Sequence, residues 1–433
     1  MSDRRGRDIS PTEFDRLRQM LWDFPERIAL GVRDTLPGQL FFRQLLHVQV
    51  GFQRTHSLGF IREAALLAEL QRDHPLRRLF ETKTGLQISD FIDLALVTFT
   101  AMTNGERAFD LSSFEPLRKS YDEANIEAFF ACVSRTYPQL IEFFRALPYS
   151  QKRVSSEYYE FPVISRYPFL RTNNLIECWH PAAFFRGFES LVHSVLSEAG
   201  SNYIEPFSEI FENHVISQSK KLNGRFYSED LLRTFVPIGT KVPDGLASFP
   251  GCNVFIESKS GLFDESVMTV GHSEMFARKT RSLQTAFSQG WSISGAIRLS
   301  KSAPRDVLDA PVDYLLVVTN KELSASRGTS LAAMYPEATF DFAHPDREQY
   351  LPLANIYVLS IEDFERLVAA VESRLIELPT FLNACVVRDS KAETAVHFFE
   401  QHLDAAKLPR GHSMLVKNAV EASKSRLSAA FGV

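Results

Sequence analysis

The chain has 433 residues, 45% of them hydrophobic, and a formal charge of −5. That length accommodates two or three domains with a sizeable core, and a net acidic surface does not draw polyanions indiscriminately. The four cysteines, Cys132, Cys178, Cys252 and Cys385, lie far apart with no Cys-x-x-Cys pair, which argues against a zinc ribbon and fits a reducing cytosol.

Residues 1–195 read as a mainly helical domain. Segments 11–22, 59–73, 87–102, 122–135 and 138–147 carry apolar residues at three- to four-residue spacing. Residues 153–172 read as extended, pairing as two short strands, and 181–199 return to helix. The start, Met-Ser-Asp-Arg-Arg-Gly-Arg, lacks an apolar signal region. The longest apolar run, Phe91 to Met102, is too short to span a bilayer and contains Asp93. A soluble, cytoplasmic protein with no membrane partner is the expectation. His47, His56 and His74 have no metal-ligand spacing, so structural or surface roles are expected. The 36 phenylalanines point to thick helical packing, with a base-stacking surface as the alternative. No fixed-period repeat or low-complexity tract occurs.

Residues 203–222 are predicted helical, with Ile204, Phe207, Phe211 and Val215 on one face and Asn223-Gly224 as the stop. Residues 232–238 are read as the first strand of the next domain, with Pro237 at its edge. A hairpin follows. Pro250-Gly251 is a chain-reversal dipeptide. Reversal about it sets Asp244, in Pro243-Asp244-Gly245, opposite Glu257, in Glu257-Ser258-Lys259. Directly opposed residues have Cβ atoms about 4.5–5.5 Å apart, and Lys259, two residues on, shares the face of Glu257. Two like charges so placed destabilise a sheet unless something compensates them. A hard divalent cation, which favours carboxylate oxygens, would do so. A Glu-x-Lys triplet alone is a common surface pattern. The Pro-Asp at hairpin-matched spacing is what points to a site.

Beyond the hairpin, 273–289 is predicted helical, with Phe276, Leu283 and Phe287 on one side, Ser273 capping its start and Gly290 its end. Arg278, Lys279, Arg281, Arg298, Lys301 and Arg305 face a single acid there, Glu274. This basic strip is either a phosphate-contacting surface or a solvated helix face. Residues 312–319 read as a buried strand, and 355–359 as another running into the capping-box-like Ser360-Ile361-Glu362-Asp363. The tail, 391–433, reads as two helices, the last amphipathic and packed on the core.

Pro243-Asp244…Glu257-Ser258-Lys259 resembles the signature of the PD-(D/E)XK nuclease superfamily, the restriction-endonuclease-like fold. The resemblance implies an α+β (α/β) architecture: a large helical N-terminal domain, an αβββαβ core over 196–376 and C-terminal helices over 377–433. The element order read over 203–375 accommodates that core with one strand and one helix to spare. By the resemblance, Asp244 and Glu257 would bind Mg²⁺ or Mn²⁺ with the Ser258 carbonyl, and Lys259 would orient or activate the attacking water. Glu212 corresponds to a helix glutamate that supports a metal-bound water in many members, and could itself be a ligand. Gln284 is a candidate supporting residue, although the Gln-x-x-x-Tyr of the exonuclease branch is not reproduced, since Ser288 stands at the Tyr position. Arg278, Lys279 and Arg281 are candidate substrate contacts.

The implied function is a Mg²⁺-dependent endonuclease, with DNA favoured over RNA. A helical module ahead of a stand-alone core resembles bacterial anti-phage defence nucleases, with residues 1–195 sensing a phage-derived trigger. Many relatives dimerise, so a homo-oligomer is an open expectation. Three alternatives stay open: a repair or recombination nuclease, an RNA-cleaving toxin-like nuclease, and a non-catalytic nucleic-acid-binding protein. Rival chemistries are absent from the sequence: there is no Gly-x-Ser-x-Gly elbow and no phosphate loop, and His397 and His402 fall off a common helix face.

Overall fold

A computed structural model describes residues 10–20, 39–40, 43–44, 46, 58–146, 163–173, 175–261, 267, 272–340 and 350–431. Residues 153–162 of the expected extended segment, His47 and His56 lie outside the described residues.

The N-terminal half is helical, as its spacing predicts. Helices α1 (Gly59–Ala68), α2 (Pro75–Thr84), α3 (Ile88–Thr103), α4 (Glu123–Val133), α5 (Tyr137–Ala146), α6 (Pro181–Glu189) and α7 (Leu191–Leu196) follow in order. Between them runs a small mixed sheet of β1 (Ala108–Asp110), β2 (Ser134–Thr136), β3 (Phe169–Thr172) and β4 (Leu175–Cys178), in the order β1-β4-β3-β2. The expected strand pair over 153–172 is therefore shifted: within the described residues, 163–166 form a short 3-10 turn, and the hairpin is β3–β4. β1 and β2 are three residues each, too short to show a period.

The second half is built on a five-stranded sheet, β5 (Arg225–Ser228), β6 (Gly245–Phe249), β7 (Cys252–Lys259), β8 (Val312–Thr319) and β9 (Ile356–Ser360), adjacent in that order. β5–β6 and β6–β7 are antiparallel, and β7–β8 and β8–β9 are parallel. The hairpin register runs from Phe249↔Cys252 to Gly245↔Ile256, as the turn dipeptide requires. The first strand is not 232–238. Those residues largely belong to helix α9 (Glu229–Phe235), whose first turn carries Glu229 and Asp230 where the helix dipole favours acids.

Helices cover both faces of this sheet, so the middles of its central strands, residues 254–256 and 314–318, are apolar and buried. On one side, α8 (Ser201–Ser219) presents Tyr203, Phe207, Phe211 and Val215 to Val254, Ile256, Leu316 and Val318. Tyr203, not the half-exposed Ile204, completes that row. On the other side, α10 (Ser273–Lys279) and α11 (Arg281–Arg298) pack Phe276, Leu283, Phe287 and Trp291 against Phe255, Leu315 and Val317. Gly290 does not end this helix, and Ser273 does not cap it, because His272 holds the cap position. Gly290 lies mid-helix where a Cβ would come within 2.8 Å of the Leu315 side chain, so it permits close helix–sheet contact.

Helix α12 (Ile361–Glu372) starts at Ser360, whose hydroxyl accepts the Asp363 N–H at 3.2 Å, as the capping pattern predicts. The last helix, α13 (Met414–Phe431), docks back on the N-terminal half. Arg426 grips the buried Asp93 of α3 at 2.7 Å through both nitrogens, and the Tyr121 hydroxyl donates to the same carboxylate at 2.6 Å. Among the described residues no single helix is long and apolar enough to cross a membrane. α2 and α3 reach that length only as a pair bent by 52°.

Candidate metal centre

The site forms where the β6–β7 ladder ends. Its last pair is Gly245↔Ile256, and only glycine fits at 245, since a Cβ there would meet the Phe226 ring at 2.6 Å. Two residues further, Pro243 has no N–H to continue the ladder. Side chains close the open end instead. The Asp244 N–H donates to Glu257 Oε2 at 3.3 Å. The Ser258 N–H and the Ser258 hydroxyl both donate to Asp244 Oδ2, each at 2.6 Å. The Lys259 ammonium pairs with Glu257 Oε1. Asp244, Glu257 and Lys259, proposed from spacing, thus join in one hydrogen-bonded network.

Two further carboxylates reach it from other elements. Glu212 of α8, Glu229 at the start of α9 and Asp244 each offer an oxygen within 4.8 Å of the others. Glu212 has the position its helix predicts. Glu229 was missed, because the misassigned first strand hid the short helix that begins there. The available signal was Ser228-Glu229-Asp230, an acidic helix start placed directly after a strand. The Glu229 N–H donates to the Asp244 carbonyl at 3.1 Å, and its carboxylate pairs with Arg233 one turn on. Ser208 of α8 and Ser260 share a hydrogen bond of 2.5 Å, tying α8 to the end of β7.

The electrostatics follow from burial among like charges. Glu257 is pushed up to about 8 by burial and then by Asp244, with Lys259 opposing. Asp244 is raised by burial against the donors of Ser258 and the pull of Lys259. Glu212 is raised by burial, then by Asp244 and Glu229. Each of these carboxylates is harder to ionise than usual, so the group is short of positive charge. An all-oxygen set of this kind suits a hard cation such as Mg²⁺ or Mn²⁺ and offers none of the sulfur or imidazole that softer metals prefer.

The remaining expectations are placed differently. The Gln284 amide donates to the Ala277 carbonyl, bridging α10 and α11 and not the site. Gln289, five residues on, is the helix glutamine beside it: its amide donates to the Val242 carbonyl at 3.0 Å, and its Oε1 is buried with no partner. It lies inside the predicted helix, but no local signal marks it, because its partner Val242 is 47 residues away in sequence. Arg278 and Arg281 are exposed near the α10–α11 junction, with Lys279 half-buried between them. His402 pairs with Asp389 at 3.0 Å, far from any role with His397. No family model, curated protein or solved structure matches the chain. The chemistry of the site has to carry the functional reading by itself.

Proposed function

We propose that the protein is a metal-dependent nuclease with a restriction-endonuclease-like core that hydrolyses phosphodiester bonds, DNA foremost. The observation that carries this reading is the convergence of Asp244, Glu257 and Lys259 at the open end of the hairpin. The element order supports it: helix α8, three antiparallel strands with the short helix α9 inserted between the first two, the α10–α11 pair and the parallel strand β8.

In this reading Asp244 and Glu257 hold Mg²⁺ or Mn²⁺, joined by the Ser258 carbonyl, with Glu212 in support. When bound, the cation polarises the phosphoryl oxygens and lowers the pKa of an attacking water. The other steps belong to the chain. Glu257, which burial keeps protonated up to about 8, would release that proton to solvent on serving as a ligand. Lys259, paired with Glu257 in the metal-free site, would position the attacking water and offset charge developing on the phosphoryl group. Arg278, Lys279 and Arg281 offer cations to the phosphate backbone. A helical module ahead of the core suits anti-phage defence, with residues 1–195 reading a phage-derived trigger and two copies cutting both strands.

The test is a Mg²⁺ titration of purified protein against plasmid, single-stranded DNA and total RNA. Metal-dependent products that vanish in Asp244→Ala support the proposal, and preference among the three substrates assigns the nucleic acid. Unchanged cleavage by folded Asp244→Ala overturns it.

A further inference from the structure

We infer that the Ser258 hydroxyl positions Asp244 for cation binding, an assignment that rests on reading Asp244 as a ligand. The argument starts from the ladder. β7 stays paired with β8 through Lys259↔Thr319, but on its other edge β6 stops at Gly245. The Ser258 N–H therefore has no strand acceptor on that edge, and an unpaired N–H there is costly. The Asp244 carboxylate supplies the acceptor, through Oδ2 at 2.6 Å.

That bond alone would leave the carboxylate free to rotate about it. The hydroxyl removes the freedom. It donates to the same oxygen, also at 2.6 Å, the length of a charge-assisted O–H···O⁻ bond. Two donors on Oδ2 fix the plane of the carboxylate and leave Oδ1 clear of Ser258. The backbone behind it is held as well, by the Asp244 N–H on Glu257 and by the Asp244 carbonyl accepting from Glu229. A ligand oxygen held in place in advance binds a cation without first having to be ordered, and such supporting hydrogen bonds typically govern metal affinity. Only serine or threonine offers this strong donor from position 258 while keeping the N–H bond intact.

The experiment measures Mn²⁺ binding, without nucleic acid, by electron paramagnetic resonance for wild type, Ser258→Ala and Ser258→Thr, each checked by thermal melting. Ser258→Ala is expected to bind Mn²⁺ about tenfold more weakly or worse, and Ser258→Thr to restore the affinity. In cleavage assays the Ala variant should need about tenfold more metal for half-maximal activation, and Ser258→Thr should return that requirement to the wild-type level. If the Ala variant does not fold, Ser258→Cys, a weaker donor of similar shape, serves in the same comparison. Wild-type Mn²⁺ affinity in Ser258→Ala overturns the assignment, and so does failure of Ser258→Thr to rescue. Absence of Mn²⁺ binding by the wild type overturns the cation reading and this inference together. If Mn²⁺ binds, the Ser258 pattern holds and no nucleic acid is cut, the inference stands and the nuclease reading falls.

Discussion

Glu257 and Glu365 are the same residue type at nearly the same burial, 1% and 4% exposed, yet the fold treats them in opposite ways. Glu365, on α12, accepts from Arg62 Nε at 2.9 Å and meets His214 Nε2 at 2.8 Å. Burial pushes its carboxyl up, but Arg62 and His214 outweigh it and hold it below the usual range. Glu257 is surrounded by other carboxylates and one ammonium, and it rises to about 8. A buried acid matched by cations is a structural tie, here joining α1 and α8 to α12. A buried acid packed beside more acids leaves a charge deficit that a cation can fill. The two ends meet on one helix: His214 lies two residues after Glu212 on α8.

Breaking each centre should expose the contrast. The largest effect is expected from Glu365→Gln, which strands the buried Arg62 charge and should cost about 3–5 kcal/mol of stability by urea unfolding. Glu257→Gln replaces a carboxyl that burial already keeps protonated up to about 8, and should cost far less in the metal-free protein. Next come Asp244→Ala and Lys259→Ala, which should lower metal-dependent cleavage by about 10²–10³-fold or more; Lys259→Ala should leave the melting curve near wild type, whereas Asp244→Ala strips the acceptor from the Ser258 N–H and should cost about 1–3 kcal/mol.

The pH response sharpens the same comparison. Glu257 binds its proton more tightly folded, near 8, than in the unfolded chain, near 4.5. The folded state thus holds more protons between those values, and the stability of the metal-free protein should fall as pH rises from about 5 to 8, by on the order of a few kcal/mol at most. Urea midpoints at pH 6 and 8 measure it. Added Mg²⁺ should shrink the drop, and Glu257→Gln should flatten it. Glu365, with its lowered value, opposes any such trend only at acid pH.

Smaller effects belong to the outer groups. Glu212→Gln and Glu229→Gln should each raise the metal requirement about tenfold, read from Mg²⁺ activation curves. Arg278→Ala with Arg281→Ala should weaken DNA binding and reduce the salt slope by about one per lost phosphate contact, measured by anisotropy in Ca²⁺. Gln284→Ala should be silent in cleavage, because that amide holds α10 to α11.

The hairpin was legible because its determinants are local. Pro250-Gly251 names the reversal, and the two-residue period of a strand then assigns opposite partners; β8 was legible as an unbroken apolar run. The first strand was not. Leu232 to Ile238 has strand-like composition, yet Glu229 and Asp230 start a helix, and the real strand is four residues long. Gly290 was read as a helix stop because sequence cannot distinguish an ending from a close approach of Leu315. Glu229 and the Ser258 hydroxyl entered the site unannounced, since each acts on Asp244 through a contact that the fold brings about.

By itself, the sequence determined the hairpin register and with it the meeting of Asp244, Glu257 and Lys259, because turn chemistry and strand alternation act over a few residues. The tertiary structure alone decided that Glu212 and Glu229 join them, that Ser258 locks Asp244, and that burial beside Asp244 outweighs Lys259 at Glu257 while Arg62 and His214 match Glu365. Those outcomes depend on which helices pack over a strand edge and on how far water is excluded, and burial sets the charge of an acid more strongly than its neighbours in sequence do.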